Sequence, residues 1–410
     1  MEITYEERQL LRELAFQVVE AAVLPIQAER AGLWKSSNSL KPKRAMVLAD
    51  PQNGWTELVP VSHLKCENKL MRSIEMQLRR TVFRSRHIHD DFVIKNVLPV
   101  PLIINKSNYG VEQNVTKSSQ SDGAYHIETS IKSYDDLKKL KPAVIEIDWK
   151  TSNENTELVK SILGDILKVE IKGIDLCRCG LTRILVHLRG LEQLMFDMYD
   201  NPDMLHELMS FLCNEQIREF EFYEKEGALS LNNGPDYITG SGGIAHTDEL
   251  PSEGHNGRVR LKDMIAWGES QELTGVGPDQ FNAFVLKYQL QVLNRFGLVD
   301  YGCCESLDKK FDLLLKNIPK LRWVAVSPWC NRKIAAEKLQ DKYVYVYKPN
   351  PSRICSPNPD FDAAERDILE TLDIAKGCAV HIVMKDTSTF HKQIERITRW
   401  TDIAIRTAEN

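Results

Sequence analysis

The chain has no uninterrupted apolar run long enough to cross a bilayer. It opens on Met-Glu-Ile-Thr-Tyr-Glu-Glu-Arg-Gln rather than on a basic stretch followed by an apolar one. Neither a membrane-spanning helix nor a secretory leader is expected, and a cytoplasmic location is. There is also no surplus of one charge. The 53 Lys and Arg stand against 58 Asp and Glu, a net −5 spread along the sequence, which leaves no electrostatic footprint for nucleic acid. No G-x-G-x-x-G turn of the dinucleotide-binding kind occurs. Nine cysteines, an odd number scattered over 410 residues, do not compose a disulfide framework. In a reducing compartment they are thiols, and only clustered ones invite a metal or nucleophile reading. Cys66, Cys213 and Cys355 stand alone and read as buried small hydrophobes or incidental thiols.

What the sequence does contain is an irregular first part and a regular second part. Residues 4 to 32 carry Leu10, Leu11, Leu14, Val18 and Val19 at helical spacing, as in an amphipathic helix. A basic run, Arg79, Arg80, Arg84, Arg86, His87 and His89, precedes Phe92-Val93-Ile94, which reads as the lead into a first strand. Between Asn105 and Asp122 the sequence turns polar and looks like an exposed excursion. From about residue 180 a rhythm sets in. Arg183 to Gly190 reads as a strand, Leu191 to Gly227 as a helix broken at Asn201-Pro202, and Leu229 to Gly234 as the next strand. A glycine-rich loop, Thr239 to Pro251, leads to Asp263 to Glu269, followed by a helix from Asp279 to Phe296. Further strands are expected at Leu298 to Glu305, Trp323 to Ser327, Tyr343 to Lys348 and Ala379 to Lys385. They alternate with helices from Leu307, near Ile334 to Leu339, from Phe361 to Lys376 and on to Ala408. Short apolar strands alternating with helices imply right-handed βαβ units and a parallel sheet. Seven strands after residue 180 and one from the Phe92 to Ile104 region make an α/β fold, a (β/α)8 TIM barrel over residues 91–410, with an N-terminal helical and irregular extension over 1–90. A doubly wound open sheet is the main alternative.

In such a barrel the residue just past each apolar run faces the active-site mouth. The candidates are Arg189, Asn232, Asn233, Asp236, Glu269, Gln271, Cys303, Cys304, Glu305, Ser327, Cys330, Lys348, Lys385 and Asp386. Each alone could be a solvated strand end or a structural ion pair. Together they would be costly to bury without ligands or mutual pairing. The junction Tyr301-Gly302-Cys303-Cys304-Glu305 holds two adjacent thiols and a carboxylate, which are zinc-ligand types. Adjacent residues of a strand point to opposite faces, so both sulfurs reach one ion only if the chain turns, and Gly302 permits a turn. Cys303, Cys304 and Glu305 are the expected ligands, with Cys330, Glu269 or His246 as other third donors. A plain thiol pair is the alternative. Cys177-Arg178-Cys179 lacks a second pair and reads as structural thiols. The loop from Thr239 to Pro251 lacks the Lys-Ser/Thr ending of a P-loop and is expected either as a mobile lid carrying Asp248 and Glu249 over the mouth or as a flexible connection.

The run Gln280-Phe281-Asn282-Ala283-Phe284-Val285-Leu286-Lys287-Tyr288-Gln289, with the strand after it, resembles the segment of the uroporphyrinogen decarboxylase superfamily that precedes its strand ending in H-x-C-G. That superfamily includes corrinoid-dependent methyltransferases and is related in structure to cobalamin-independent methionine synthase. The resemblance covers about residues 180 to 405 and implies a (β/α)8 barrel. Where the methyltransferases place histidine and cysteine on zinc, this chain has Tyr301 and Cys303, so Cys304 or Glu305 would have to substitute. The Arg-Gln-Ala-Gly-Arg signature of the true decarboxylases is missing, and their tetrapyrrole activity is not expected. The resemblance implies a zinc-dependent methyltransferase-like enzyme moving a methyl group between a small methylated compound and a corrinoid protein or thiol. Glu269, Lys348, Lys385 and Asp386 are the expected catalytic groups, and Arg189, Asn232, Asn233, Asp248 and Gln271 the substrate contacts. Two other readings stand beside it: a metal-free decarboxylase or lyase of a small carboxylic acid, and a non-catalytic barrel that binds a ligand or corrinoid protein. Helices such as Phe281 to Phe296 could serve a homodimer or pack on the barrel.

Overall fold

Seven short strands, each an almost unbroken apolar run, pair in parallel, as expected of strands covered on both faces. The computed structural model describes residues 3–112, 115–117 and 125–410; the polar run at 118–123 lies outside them. The strands are β1 (Met46–Ala49), β2 (Cys177–Cys179), β3 (Ile265–Gly268), β4 (Leu298–Tyr301), β5 (Leu321–Val326), β6 (Val344–Tyr347) and β7 (Ala379–Met384). Their order is β1-β7-β6-β5-β4-β3-β2, with every neighbouring pair parallel. From β2 to β7 each strand lies beside its successor in the chain, and β1 joins beyond β7. This is a mixed α/β, TIM-barrel-like fold.

Side chains alternate across the sheet with period two. Val47, Val299, Tyr301, Val324, Tyr345, Ile382 and Met384 belong to the large apolar core that includes the surrounding helices. Leu48, Ile265, Leu298, Trp323, Val346 and Val383 form a separate cluster with Trp34 and Ile244. The strands thus have an outer face packed on helices and an inner face filled by side chains.

Three strand assignments change. The segment after Phe92-Val93-Ile94 does not join the sheet, because Val97–Pro101 pairs with Lys168–Lys172 in a separate ladder. Pro99 and Pro101 lack the N–H groups a central strand needs. Its place is taken by Met46–Ala49, inside the stretch expected as an extension. The outer edge of β1 is covered by carboxylates: Val47 N donates to Asp91 Oδ2 and Ala49 N to Asp90 Oδ2, both at 2.8 Å, which blunts an otherwise open strand edge. Arg183 to Gly190 is helical, within Leu181–Arg189. Leu181, Leu185 and Leu188 have no exposure and fall at helical spacing, and Gly190, at φ +86°, ends the turn. Leu229 keeps only an isolated bridge to Ile174, so among the described residues the sheet has seven strands rather than eight.

The N-terminal helical pattern is split into α1 (Tyr5–Ala22) and α2 (Pro25–Asn38), since the residue before a proline disfavours helix. α1 begins in a capping box between Thr4 and Glu7. It packs on α3 (Lys69–His87) through Leu11, Leu14 and Val18 against Met71, Ile74 and Leu78.

Candidate active site

The carboxyl end of β4 is where the chain turns. Gly302 has φ +105°, a conformation that side chains disfavour, and a Cβ there would come within 2.9 Å of the Ala325 side chain. Its amide donates to Gly268 O and its carbonyl accepts from Trp267 Nε1, each at 2.9 Å. Glu305 closes the turn: Oε2 accepts from Cys303 N and Oε1 from Ser270 N, both at 2.9 Å. The turn brings the sulfurs of Cys303 and Cys304 to 3.6 Å.

Lys348, just past β6, reaches this pair. Its side chain is 4% exposed, and Nζ lies 2.9 Å from Asp386 Oδ2, 3.4 Å from Cys303 O and 3.6 Å from Cys304 Sγ. Cys304 Sγ is 3.3 Å from Asp386 Oδ2. Asp386, just past β7, sits at φ +59° and its amide donates to Gln52 Oε1 at 2.8 Å. The two thiols are held in different states. The hydrogen bond from Cys304 lowers the Cys303 thiol below its ordinary value, with help from the Lys348 charge and against burial. The same bond, followed by burial, pushes Cys304 up. Burial alone would lower Lys348, but the Cys303 thiolate and Asp386 outweigh it and the ammonium is held. Asp386, despite burial, is lowered by Lys348. The cluster therefore brings two unequal thiols, a carboxylate and an ammonium together at one point on the mouth.

A second cluster occupies the β2–β3 end of the same edge. Glu269 has no exposure and accepts from Arg178 Nη2 at 2.8 Å and Nε at 3.2 Å. Arg178 lies over the Trp267 ring at 4.7 Å. Burial, then repulsion from Glu272, raises the Glu269 carboxyl to about 7 in spite of Arg178. Gln271 N donates to Glu269 Oε2 at 3.2 Å.

Beneath both clusters the glycine-rich segment plugs the inner face. Ser241, Ile244 and Ala245 have no exposure. Asp300 Oδ2 accepts from Ser241 N at 3.0 Å and Gly242 N at 3.2 Å, and Lys385 Nζ donates to Thr239 O and Gly240 O at 3.0 Å. A side chain at Gly240 would overlap the Trp267 ring, and one at Gly243 the Trp34 ring. The glycines serve close packing, not a mobile lid. Burial lowers the Lys385 ammonium and lowers His381, buried on β7, to about 3.

The other expected residues take structural places. Arg189 ends a helix and is tied to Asp197 at 2.6 Å and to Lys132 O at 2.7 Å. Asn232 serves the first residue of β3, ahead of the pairing with β2 that begins at Ala266: its side chain donates to Ile265 O at 2.8 Å and accepts from Ile265 N at 2.9 Å. Asn233 bonds Thr247 O and Leu250 O. Asp248 pairs with Lys35 of α2, and Glu249 with Arg322. Cys330 Sγ accepts from Leu307 N at 3.4 Å. Cys177 and Cys179 are buried thiols.

The zinc donor set finds no support in the packing. Glu305 spends its oxygens on backbone amides. Among the described residues no three His, Cys, Asp or Glu side chains are grouped so as to hold a metal ion. The cation that faces both thiols and Asp386 is the Lys348 ammonium.

Arg178, Asp300 and Ser241 escaped the sequence reading. Arg178 lies between two cysteines whose spacing drew the attention. Asp300 sits inside an apolar strand, and that buried position was itself a signal, because a carboxylate there must have donors. A cleft of about 700 Å3 between α1, α3 and residues 58–65 shares no residue with the thiol cluster.

No family model matches the chain, and no curated protein matches it significantly. Among solved structures it is similar to a methyltransferase from Methanosarcina mazei, with a TM-score of 0.50 and 11% identity over 92% of this chain and 97% of that one. At this identity the likeness is one of fold.

Proposed function

We propose that the protein is a methyltransferase-type enzyme acting at the mouth of the barrel on a small methylated compound, with Cys303 as nucleophile and Lys348 as the cation that keeps it a thiolate. The observation that carries this reading is the unequal thiol pair beside a buried ammonium on the carboxyl edge of the sheet. The likeness of fold to a methyltransferase supports it. A thiolate is the nucleophilic form of cysteine, and a neighbouring positive charge populates it. The Cys303 thiolate attacks the methyl carbon of a sulfonium or quaternary ammonium group. The new S–C bond forms as the old C–S or C–N bond breaks, and the electron pair leaves with the neutral product. A thiolate acceptor would displace the methyl group from Cys303, its S–C bond forming as the Cys303 S–C bond breaks and the electron pair returns to the Cys303 sulfur; a corrinoid on a partner protein would supply equivalent methyl-accepting chemistry. Asp386 orients Lys348, and the Gly302 turn presents the sulfur. No step here runs through zinc.

The test is mass spectrometry of the Cys303 peptide after incubation with methyl-labelled sulfonium and quaternary ammonium probes. Label is expected on Cys303 and absent in Cys303→Ser. Methyl transfer that persists in the serine variant contradicts the role. One observation favours a second reading: a buried carboxyl at about 7 is matched to proton transfer near neutrality, which suits Glu269 as proton donor in the decarboxylation of a small acid. Release of carbon dioxide by Cys303→Ser but not by Glu269→Gln selects that alternative.

A further inference from the structure

We infer that Cys303 and Cys304 are a reversible redox pair, closed to a disulfide between neighbouring residues by a small disulfide such as oxidised glutathione and reopened by thiols. This rests on the proposed function only for its consequence, which is to switch the nucleophile off. The pairing itself stands on geometry.

Adjacent side chains in an extended strand diverge to opposite faces. Here the left-handed Gly302 and the Glu305 carboxylate bend the chain until the two sulfurs touch at 3.6 Å. Both cysteines are partly exposed, whereas Cys66, Cys177, Cys179, Cys213 and Cys330 are buried. Cys355 and Cys378 are also partly exposed, but the sulfur-to-sulfur contact recorded among the described residues belongs to Cys303 and Cys304.

The surroundings divide the labour of a thiol–disulfide exchange. The Cys303 thiolate, facing Lys348, attacks one sulfur of the oxidant, so that a mixed disulfide forms and one small thiolate leaves. In the mixed disulfide the Lys348 ammonium, 3.6 Å from Cys304 Sγ, favours release of the Cys304 proton to solvent. The Cys304 sulfur then attacks Cys303 Sγ, and the bond to the small thiol breaks. That second thiol leaves as a thiolate and takes up a proton from solvent. One small disulfide is reduced to two thiol equivalents as two cysteine sulfurs are oxidised. Consecutive Cα atoms are about 3.8 Å apart, closer than the usual span of a disulfide of roughly 4.4–6.8 Å. The closed ring is strained and returns easily to thiols, as a switch requires.

The full chain is treated with oxidised glutathione and read by intact-mass and peptide mass spectrometry, which need no methyl transfer. The expected result is the loss of two hydrogens with no retained glutathione, localised to a single peptide holding Cys303 and Cys304 and reversed by dithiothreitol. Cys304→Ser should retain one glutathione on Cys303. In the untreated wild-type chain, phenylarsine oxide should bind once and protect both thiols. A stable glutathione adduct on the wild-type chain, a cross-link to Cys330, or no reaction overturns the inference. Because these readouts follow glutathione and hydrogen loss rather than a methyl label, their failure leaves the methyl-labelling test untouched, and the reverse holds too.

Discussion

Two charged clusters share the carboxyl edge of one sheet, and they hold their carboxyl groups in opposite states. Beside β6 and β7, Asp386 faces the buried ammonium of Lys348 and is held below its ordinary value. Beside β2 and β3, Glu269 faces Arg178, yet stands at about 7. Both carboxylates have a cation within 2.9 Å, so the difference is not one of pairing. Asp386 is 43% exposed, while Glu269 has no exposure and Glu272 as a neighbour. Desolvation and a like charge defeat an ion pair that would otherwise suffice. One end of the mouth is therefore suited to holding an anion and the other to moving a proton.

The comparison can be broken most severely at the sulfur. Cys303→Ser should cut methyl transfer by at least about a hundredfold, since the residue is the attacking group, while circular dichroism and the melting curve stay close to those of the wild-type chain. Lys348→Met removes the cation shared by the thiolate and Asp386. Breaking a buried pair costs ~3–5 kcal/mol. Because Asp386 is 43% exposed, solvent screening reduces the expected loss to about 2–3 kcal/mol, read as a shift in the urea midpoint.

Glu269→Gln sharpens the other side of the comparison. A carboxyl raised from 4.5 to about 7 in the folded chain binds a proton that the unfolded chain has released. The stability it gives is complete below about pH 4.5 and is lost as the pH rises through about 7, by about 3 kcal/mol. Wild-type stability measured against Glu269→Gln should therefore fall between pH 5 and pH 8. A flat or rising difference contradicts the assignment. The smallest effect is expected from metal removal. Exhaustive dialysis against a chelator should leave the melting temperature and the labelling of Cys303 unchanged, and a metal-dependent loss of either would restore the zinc reading.

The same contrast explains what was legible in the sequence. The strands from β3 to β7 are short, mostly apolar runs set between helical patterns, and their ends placed Glu269, Cys303, Lys348 and Asp386 on one edge. The turn at Gly302 could also be read, because only a bend lets neighbouring thiols meet. β1 was missed because its four residues, Met46 to Ala49, lie in an irregular region and its outer edge is satisfied by the carboxylates of Asp90 and Asp91. The Arg189 segment misled because Ile184-Leu185-Val186 reads as a strand locally, while burial follows Leu181, Leu185 and Leu188. Asn232 was assigned to the mouth, yet its amide bonds the backbone of Ile265, the first residue of β3. Such roles depend on partners far along the chain, which local pattern does not carry.

The account turns on the state of Cys303, and the most direct measurement is the pH dependence of its alkylation by iodoacetamide, followed by peptide mass spectrometry in the wild-type chain and in Lys348→Met. Cys303 faces Cys304, Lys348 and Glu305, with Asp386 bonded to Cys304 and Lys348. The account predicts that the wild-type thiol reaches its full rate at a pH below that of an ordinary cysteine and that the profile moves upward when the ammonium is removed. A Cys303 that titrates as an ordinary thiol in both chains would contradict the claim that this cluster holds a nucleophile.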